Sequence, residues 1–183
     1  MNPSEQKRPG GGTGPDRPPP SLEEAFAALQ AELLGMLFYL TGNAEDARDA
    51  YQEAFVRCWK RRDMLGEIVN LRAWIFRVAL NLGRDMRATA WRRRRRPLPD
   101  DDPMLVPDPA KPQAELERRE RLALVQQALA ALRPEEQEVF LLRQNGQMTY
   151  EDIAVSINIP VGTVKTRMRL ALEKLRVALE GKS

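Results

Sequence analysis

The 183-residue sequence contains no histidine and a single cysteine, Cys58. A zinc cage needs several His or Cys ligands, a disulfide needs two thiols, and a His-based general base needs an imidazole. None of these can be assembled within one such chain, so most hydrolytic and metal chemistry is excluded; no cofactor is expected, and the protein is not expected to be an enzyme. Long apolar runs are missing too. The longest, Leu33 to Leu40 with Gly35 inside it, is about eight residues against the roughly twenty that span a bilayer. The start of the chain also lacks the basic-then-apolar pattern of a secretion signal. Without membrane insertion or export, a cytoplasmic location is expected.

What is present is charge, and it is unevenly placed. The net charge is only +3, yet Arg92 to Arg96 are five consecutive arginines, followed by a stretch rich in aspartate. A local block of one sign matters more for nucleic-acid binding than the net value. Residues 1–20 carry six prolines and almost no hydrophobic side chain, too little burial to offset the entropy of ordering, so a disordered tail is expected there. Residues 97–113 hold another six prolines and four aspartates, the composition of an extended, semi-rigid linker.

Between these segments the apolar residues follow helical spacing. Leu22, Phe26, Leu29, Leu33, Leu37 and Leu40 predict one helix ending at Thr41-Gly42. Asn43 is placed to cap a second, running to about Arg61. Leu71, Trp74, Ile75, Val78, Leu82 and Met86 mark a third that reaches the arginine run. Beyond the linker, Leu122, Val125, Leu129 and Leu132 stripe another helix, and Pro134 with Glu135 and Glu136 starts the next. No segment alternates with the strand period. The expected fold is all-α: two small helical domains, residues 21–96 and 114–183, joined by the linker.

The C-terminal part carries a recognisable constellation. Thr149 with Asp152 forms a capping-box variant ahead of Ile153, Ala154 and Ile157. Asn158-Ile159-Pro160 breaks the chain, and a second helix from about Val161 turns Val164, Met168, Ala171, Leu172 and Leu175 inward. Two short helices and a tight turn resemble a helix-turn-helix. On the second helix, Thr163, Lys165, Thr166, Arg167 and Arg169 suit phosphates and base edges in a major groove. Leu170 falls about 140° from the centre of the inner stripe, on the outward face, where it can pack against a thymine methyl.

Two faces of the N-terminal part also stand out. Asp46, Asp49, Gln52 and Glu53 lie within about 120° of one another, away from Ala47, Tyr51, Phe55 and Cys58. On the next helix, Phe76, Arg77, Arg84, Arg87 and Trp91 turn away from the apolar stripe. Arginines that hold a backbone, beside aromatics that stack on bases, suit single-stranded DNA. For Phe76 a place in the core is the expected role. Arg92 and Arg93, at the head of the arginine run, extend this face toward phosphates.

Three ordered segments carry a family resemblance: Asp46-Ala-Arg-Asp-Ala-Tyr-Gln-Glu-Ala-Phe55, Arg72-Ala-Trp-Ile-Phe-Arg-Val-Ala-Leu-Asn81 and Ile159-Pro-Val-Gly-Thr-Val-Lys-Thr-Arg167. Together they resemble bacterial RNA polymerase sigma factors of the extracytoplasmic-function (ECF) group of the sigma-70 family. The resemblance implies that Asp46, Asp49, Gln52 and Glu53 bind the β′ clamp helices of core RNA polymerase. It implies that Asn81 and the helix after it hold the melted minus-10 strand, that the helix-turn-helix takes the minus-35 duplex, and that the second domain leans on the β flap. It further implies that Asp100 to Asp102 mimic RNA charge in the exit channel, and that an anti-sigma factor is a possible partner. Two rival readings follow from the residues alone. One is a transcription regulator with a LuxR-like helix-turn-helix, binding duplex operator without polymerase. The other is a metal-dependent nuclease using Asp100 to Asp102, a poor prospect because consecutive acids in a proline-rich linker are ill held for octahedral Mg²⁺.

Overall fold

A computed structural model describes residues 21–93 and 112–180, with side chains at 21–88, 117 and 119–180. The expected tail, most of the linker and Asp100 to Asp102 lie outside the described residues. Among those described there is no strand, and the elements are eight α-helices and one 3-10 segment.

The first helix, α1 (Leu22–Ala28), starts at Ser21, whose Oγ accepts from the Glu24 N–H at 3.2 Å while the Glu24 carboxylate accepts from the Ser21 N–H at 2.9 Å. The single helix expected over Leu22 to Leu40 is in fact two. The backbone departs from helical geometry at Leu29, with φ −101° and ψ 4°, and α2 (Gln30–Thr41) begins after it. The bend keeps the apolar stripe buried from Leu22 to Leu40. It also lays α1 across α3, where Phe26 meets the edges of Tyr51 and Phe55 at centroid distances of 5.7 and 5.2 Å. Periodicity registers the stripe and is blind to such a bend, because the hydrogen bond from Leu33 N–H to Leu29 O survives it. Gly42, at φ 86°, supplies the left-handed residue that ends α2.

Asn43 caps α3 (Ala44–Trp59) as expected, its Oδ1 accepting from the Asp46 N–H at 2.7 Å. The buried side of α3 is small: Ala44, Ala47, Ala50, Ala54 and Cys58. Short side chains let α2 and α4 approach closely, and burial pushes the Cys58 thiol up to about 12 against the opposing pull of Arg61. A 3-10 segment (Arg62–Glu67) then leads to α4 (Leu71–Arg93). Asn70 starts α4 by accepting from the Ala73 N–H at 2.9 Å. At Gly83 a Cβ would sit 2.9 Å from Leu40 Cδ1 and 3.3 Å from Leu40 Cβ, so a larger residue there would push the Leu40 side chain aside at the α2–α4 crossing.

The second unit comprises α5 (Pro112–Ala130), α6 (Pro134–Gln144), α7 (Tyr150–Ile157) and α8 (Val161–Glu180). Pro134 occupies the first turn of α6, and the Thr149–Asp152 box opens α7. Asn158, at φ 54°, makes the left-handed turn into α8, a conformation its short polar side chain tolerates. Two core expectations fail. Val125 is 36% exposed and Leu172 is 49% exposed. On α8, Val164, Met168, Ala171 and Leu175 already fill the interior at spacings of four, three and four. Leu172, about 100° round from Ala171, falls outside that narrow seam.

Candidate nucleic-acid interface

The short helix α7 and the 20-residue α8 meet at the Asn158 turn and leave one side of α8 uncovered. Lys165, Thr166 and Arg169 are exposed there, while Thr163, Arg167 and Leu170 are partly buried. Thr166 Oγ1 donates to its own helix at Gly162 O, 3.0 Å away, and Arg169 lies 3.4 Å from Glu173. Leu170 is partly buried rather than fully exposed. An angle measures direction and not reach, and a branched side chain on a helix flank is partly covered by its neighbours.

On α3, Asp49, Gln52 and Glu53 are exposed side by side. Glu53 pairs with Arg57 at 2.8 Å, a bond between half-exposed partners that contributes little to stability. Asp46 is partly buried, and Asn43 Nδ2 donates to its carboxylate at 2.6 Å. The face thus consists of exposed Asp49 and Gln52, exposed Glu53 in a weak local pair with Arg57, and Asp46 tied into the helix cap.

On α4, Phe76 is fully buried, in agreement with its expected core role. Arg77 and Asn81 are exposed, and Asn81 Oδ1 accepts from Arg84 at 3.4 Å. Arg84 has a stronger partner: its guanidinium donates through two nitrogens to both carboxylate oxygens of Glu138 on α6. Arg87 Nη1 donates to Gln137 Oε1 at 2.7 Å. Trp91, Arg92 and Arg93 lie in the last turns of α4, with side chains outside the described residues.

Several residues in this arrangement were not singled out by sequence. Arg72 donates to the carbonyls of Gly146 and Asn145, the latter at 3.3 Å, and its guanidinium sits 5.3 Å from the Phe76 ring centroid. Asn70, which caps α4, donates through Nδ2 to Asp152 Oδ1 at 3.0 Å, tying together the N-termini of α4 and α7. Hydrogen bonds from the Thr149 hydroxyl and N–H, and from Asn70, hold the Asp152 carboxyl below its ordinary range despite partial desolvation. Glu136 is buried at 3% exposure and accepts from Lys174 Nζ at 2.8 and 2.7 Å. Burial alone would raise its carboxyl, but the bonds from Lys174 and the Arg133 backbone bring it below the usual value. Apart from the local caps and the Arg72–Phe76 contact, these contacts span 38 to 82 positions in sequence, which is why no local pattern announces them.

Residues 25–96 match the family described as Sigma-70 region 2, and residues 122–175 match Sigma-70, region 4. The chain belongs to the sigma-70 family. The sigma factor is similar to the ECF RNA polymerase sigma factor SigL of Mycobacterium tuberculosis, 33% identical over 142 residues that make up 77% of this chain and 78% of SigL. It is similar as well to the RNA polymerase sigma-E factor of Streptomyces avermitilis, 31% identical over 161 residues, 88% of this chain and 86% of that one. Among solved structures, CnrH in complex with the cytosolic domain of CnrY shares the fold, with a TM-score of 0.66 and 24% identity over 88% of this chain and 89% of that one. RpoE of Bartonella quintana in complex with the anti-sigma factor NepR does so with a TM-score of 0.62 and 19% identity, covering 88% of this chain and 98% of that one. As an ECF sigma factor, the protein binds core RNA polymerase and directs promoter-specific initiation. The region 2 match over 25–96 replaces the sensory domain that the LuxR-like reading requires. No described helix is long and apolar enough to cross a membrane.

Proposed function

We propose a division of labour among the three surfaces of this sigma factor. Asp49, Gln52 and Glu53, with Asp46 at the edge, take the β′ clamp helices. Arg77, Asn81, Arg84, Arg87, Trp91, Arg92 and Arg93 take the melted minus-10 strand. Thr163, Lys165, Thr166, Arg167, Arg169 and Leu170 take the minus-35 duplex, and the second unit leans on the β flap. The protein itself is no enzyme; chemistry belongs to the polymerase, and the work is done in the cytoplasm. The observation that carries this division is the exposed Asp49–Gln52–Glu53 row, which no element of the chain covers among the described residues. Asp49 and Gln52 face solvent, and the half-exposed pair of Glu53 with Arg57 is weak enough to be exchanged for a basic group from outside. An anti-sigma factor is an expected regulator, since the structurally similar RpoE of Bartonella quintana is held by one.

The test is competition for purified core polymerase followed by run-off transcription. Asp49→Lys combined with Glu53→Lys is expected to lower core affinity by at least about tenfold, some 1.4 kcal/mol, while leaving the melting temperature unchanged. Undiminished core affinity in that variant would remove the clamp assignment. Lys165→Ala with Arg169→Ala is the matched control: it should leave core binding intact and weaken binding to minus-35 duplex.

A further inference from the structure

The first unit carries an apolar groove that neither of its charged faces accounts for. Glu23 of α1 lines it together with Phe55, Val56, Trp59 and Lys60 at the end of α3, and it encloses about 380 Å³. Val56 is 40% exposed and Trp59 38%, so two large apolar side chains stand side by side at the surface, the pattern that marks an interaction site. Trp59 is held in place. Its ring stacks on Phe55 with centroids 5.9 Å apart and planes at 26°. The Arg62 guanidinium lies 5.0 Å from the Trp59 ring centroid and donates to the Trp59 carbonyl at 3.2 Å. A ring fixed in this way is a preorganised platform that loses little further freedom when something is laid against it.

The direction of α1 says what can reach the groove. Phe26 meets Tyr51 and Phe55, whereas Glu23, one turn earlier on α1, shares the groove with Val56 and Trp59, further along α3. The two helices therefore run in opposite senses here, and the chain ahead of Ser21 enters α1 from the Trp59 end. The residues immediately before Ser21 are Pro18, Pro19 and Pro20. Proline-rich segments dock in aromatic-lined grooves because a fixed φ leaves little conformational entropy to lose. A segment of this composition has too few apolar side chains to bury surface within itself, but here α3 supplies the wall. The tether contributes as well: a short linkage sets an effective concentration in the millimolar range, so a contact too weak to persist between separate molecules is populated within one chain.

We propose that Pro18, Pro19 and Pro20 seat in the Phe55–Trp59 groove, so that the chain's own N-terminal segment covers the apolar end of α3. Val56 follows Gln52 by one helical turn, and the seated prolines border the Asp49–Gln52–Glu53 row on its C-terminal side. The inference is independent of what that row binds.

The experiment uses the full chain labelled with 5-fluorotryptophan. Its three tryptophans, Trp59, Trp74 and Trp91, give three fluorine resonances, and that of Trp59 is identified by its loss in Trp59→Phe. A soluble paramagnetic chelate reports how exposed each ring is. Pro18→Ser, Pro19→Ser and Pro20→Ser combined should shift the Trp59 resonance and raise its paramagnetic relaxation by about twofold or more, as emptying a site at least half filled requires. A free peptide with the sequence Thr13 to Ser21, added to that variant at about millimolar concentration, should reverse the change. Val56→Asp, at an exposed position, should leave Trp59 indifferent both to the serine replacements and to the peptide. Equal Trp59 relaxation in the parent chain and the serine variant overturns the proposal. A Trp59 resonance that moves with protein concentration in both chains alike assigns the groove to a second copy and overturns it as well.

Discussion

Two polar helix faces in the first unit look alike in sequence and meet different fates. On α3, Asp49, Gln52 and Glu53 stand in solvent. On α4, Arg84 and Arg87 point away from their own core in the same manner, yet both are claimed by α6 of the second unit. A helical wheel states which residues turn away from the apolar stripe. It says nothing of what arrives to cover them, and that difference separates a face ready for a partner from one already holding a substitute.

The sharpest way to break the comparison is to attack the side of α4 that both readings place in the core. Phe76→Ala should destabilise the protein by about 3–5 kcal/mol, the usual cost of emptying a buried aromatic site. Chemical denaturation measures it, and a loss below about 1 kcal/mol would mean that Phe76 belongs with the arginines after all. A pair of variants then sharpens the contrast between contacts inside a unit and contacts across units. Lys174→Met leaves the Glu136 carboxylate buried without its cation, at a cost of about 1–3 kcal/mol. Arg84→Ala should cost less, about 1 kcal/mol of unfolding free energy, because the Arg84 side chain is itself 43% exposed and water enters the space it vacates beside Glu138. Equal losses in the two variants would show that water does not reach Glu138.

The smallest expected effect is on pH dependence. Glu136 and Asp152 both sit below their ordinary values of 4.5 and 3.8. A carboxyl depressed in the folded state contributes stability that is fully present above its unfolded value and is lost as pH falls through the folded one. Melting temperature should therefore hold steady at neutral pH and decline below about pH 4.5. Glu136→Gln and Asp152→Asn should each start lower at neutral pH and show a shallower acid decline in thermal melts. A single-variant acid profile identical to that of the parent protein would remove that residue from the account.

The helices themselves were legible because their causes are local. Asn43, Thr149 and Pro134 act on backbone groups within one turn, and Ile75, Leu82, Val164 and Met168 are buried by a period that any window of the sequence displays. The candidate surfaces were legible to the same extent: residue types and directions could be listed for Asp49, Glu53, Lys165 and Arg169 from spacing alone. The bend at Leu29 was not, since it preserves the stripe that would have revealed it. Val125 and Leu172 were misplaced because exposure on a helix flank depends on how wide a seam the neighbouring helices form.

The sequence by itself determined which segments are helical, where most of them start and stop, the break at Leu29 excepted, and which face of each seeks apolar company, because capping and amphipathic period are properties of neighbours in the chain. Only the tertiary structure decided that Arg84 meets Glu138, that Lys174 meets Glu136 and that Asn70 joins two helix ends through Asp152. Those pairings link residues 38 to 82 positions apart. Each is fixed by how separately patterned helices pack, within a unit for Lys174 and Glu136 and between units for the others, and charge alone would have allowed many other partners.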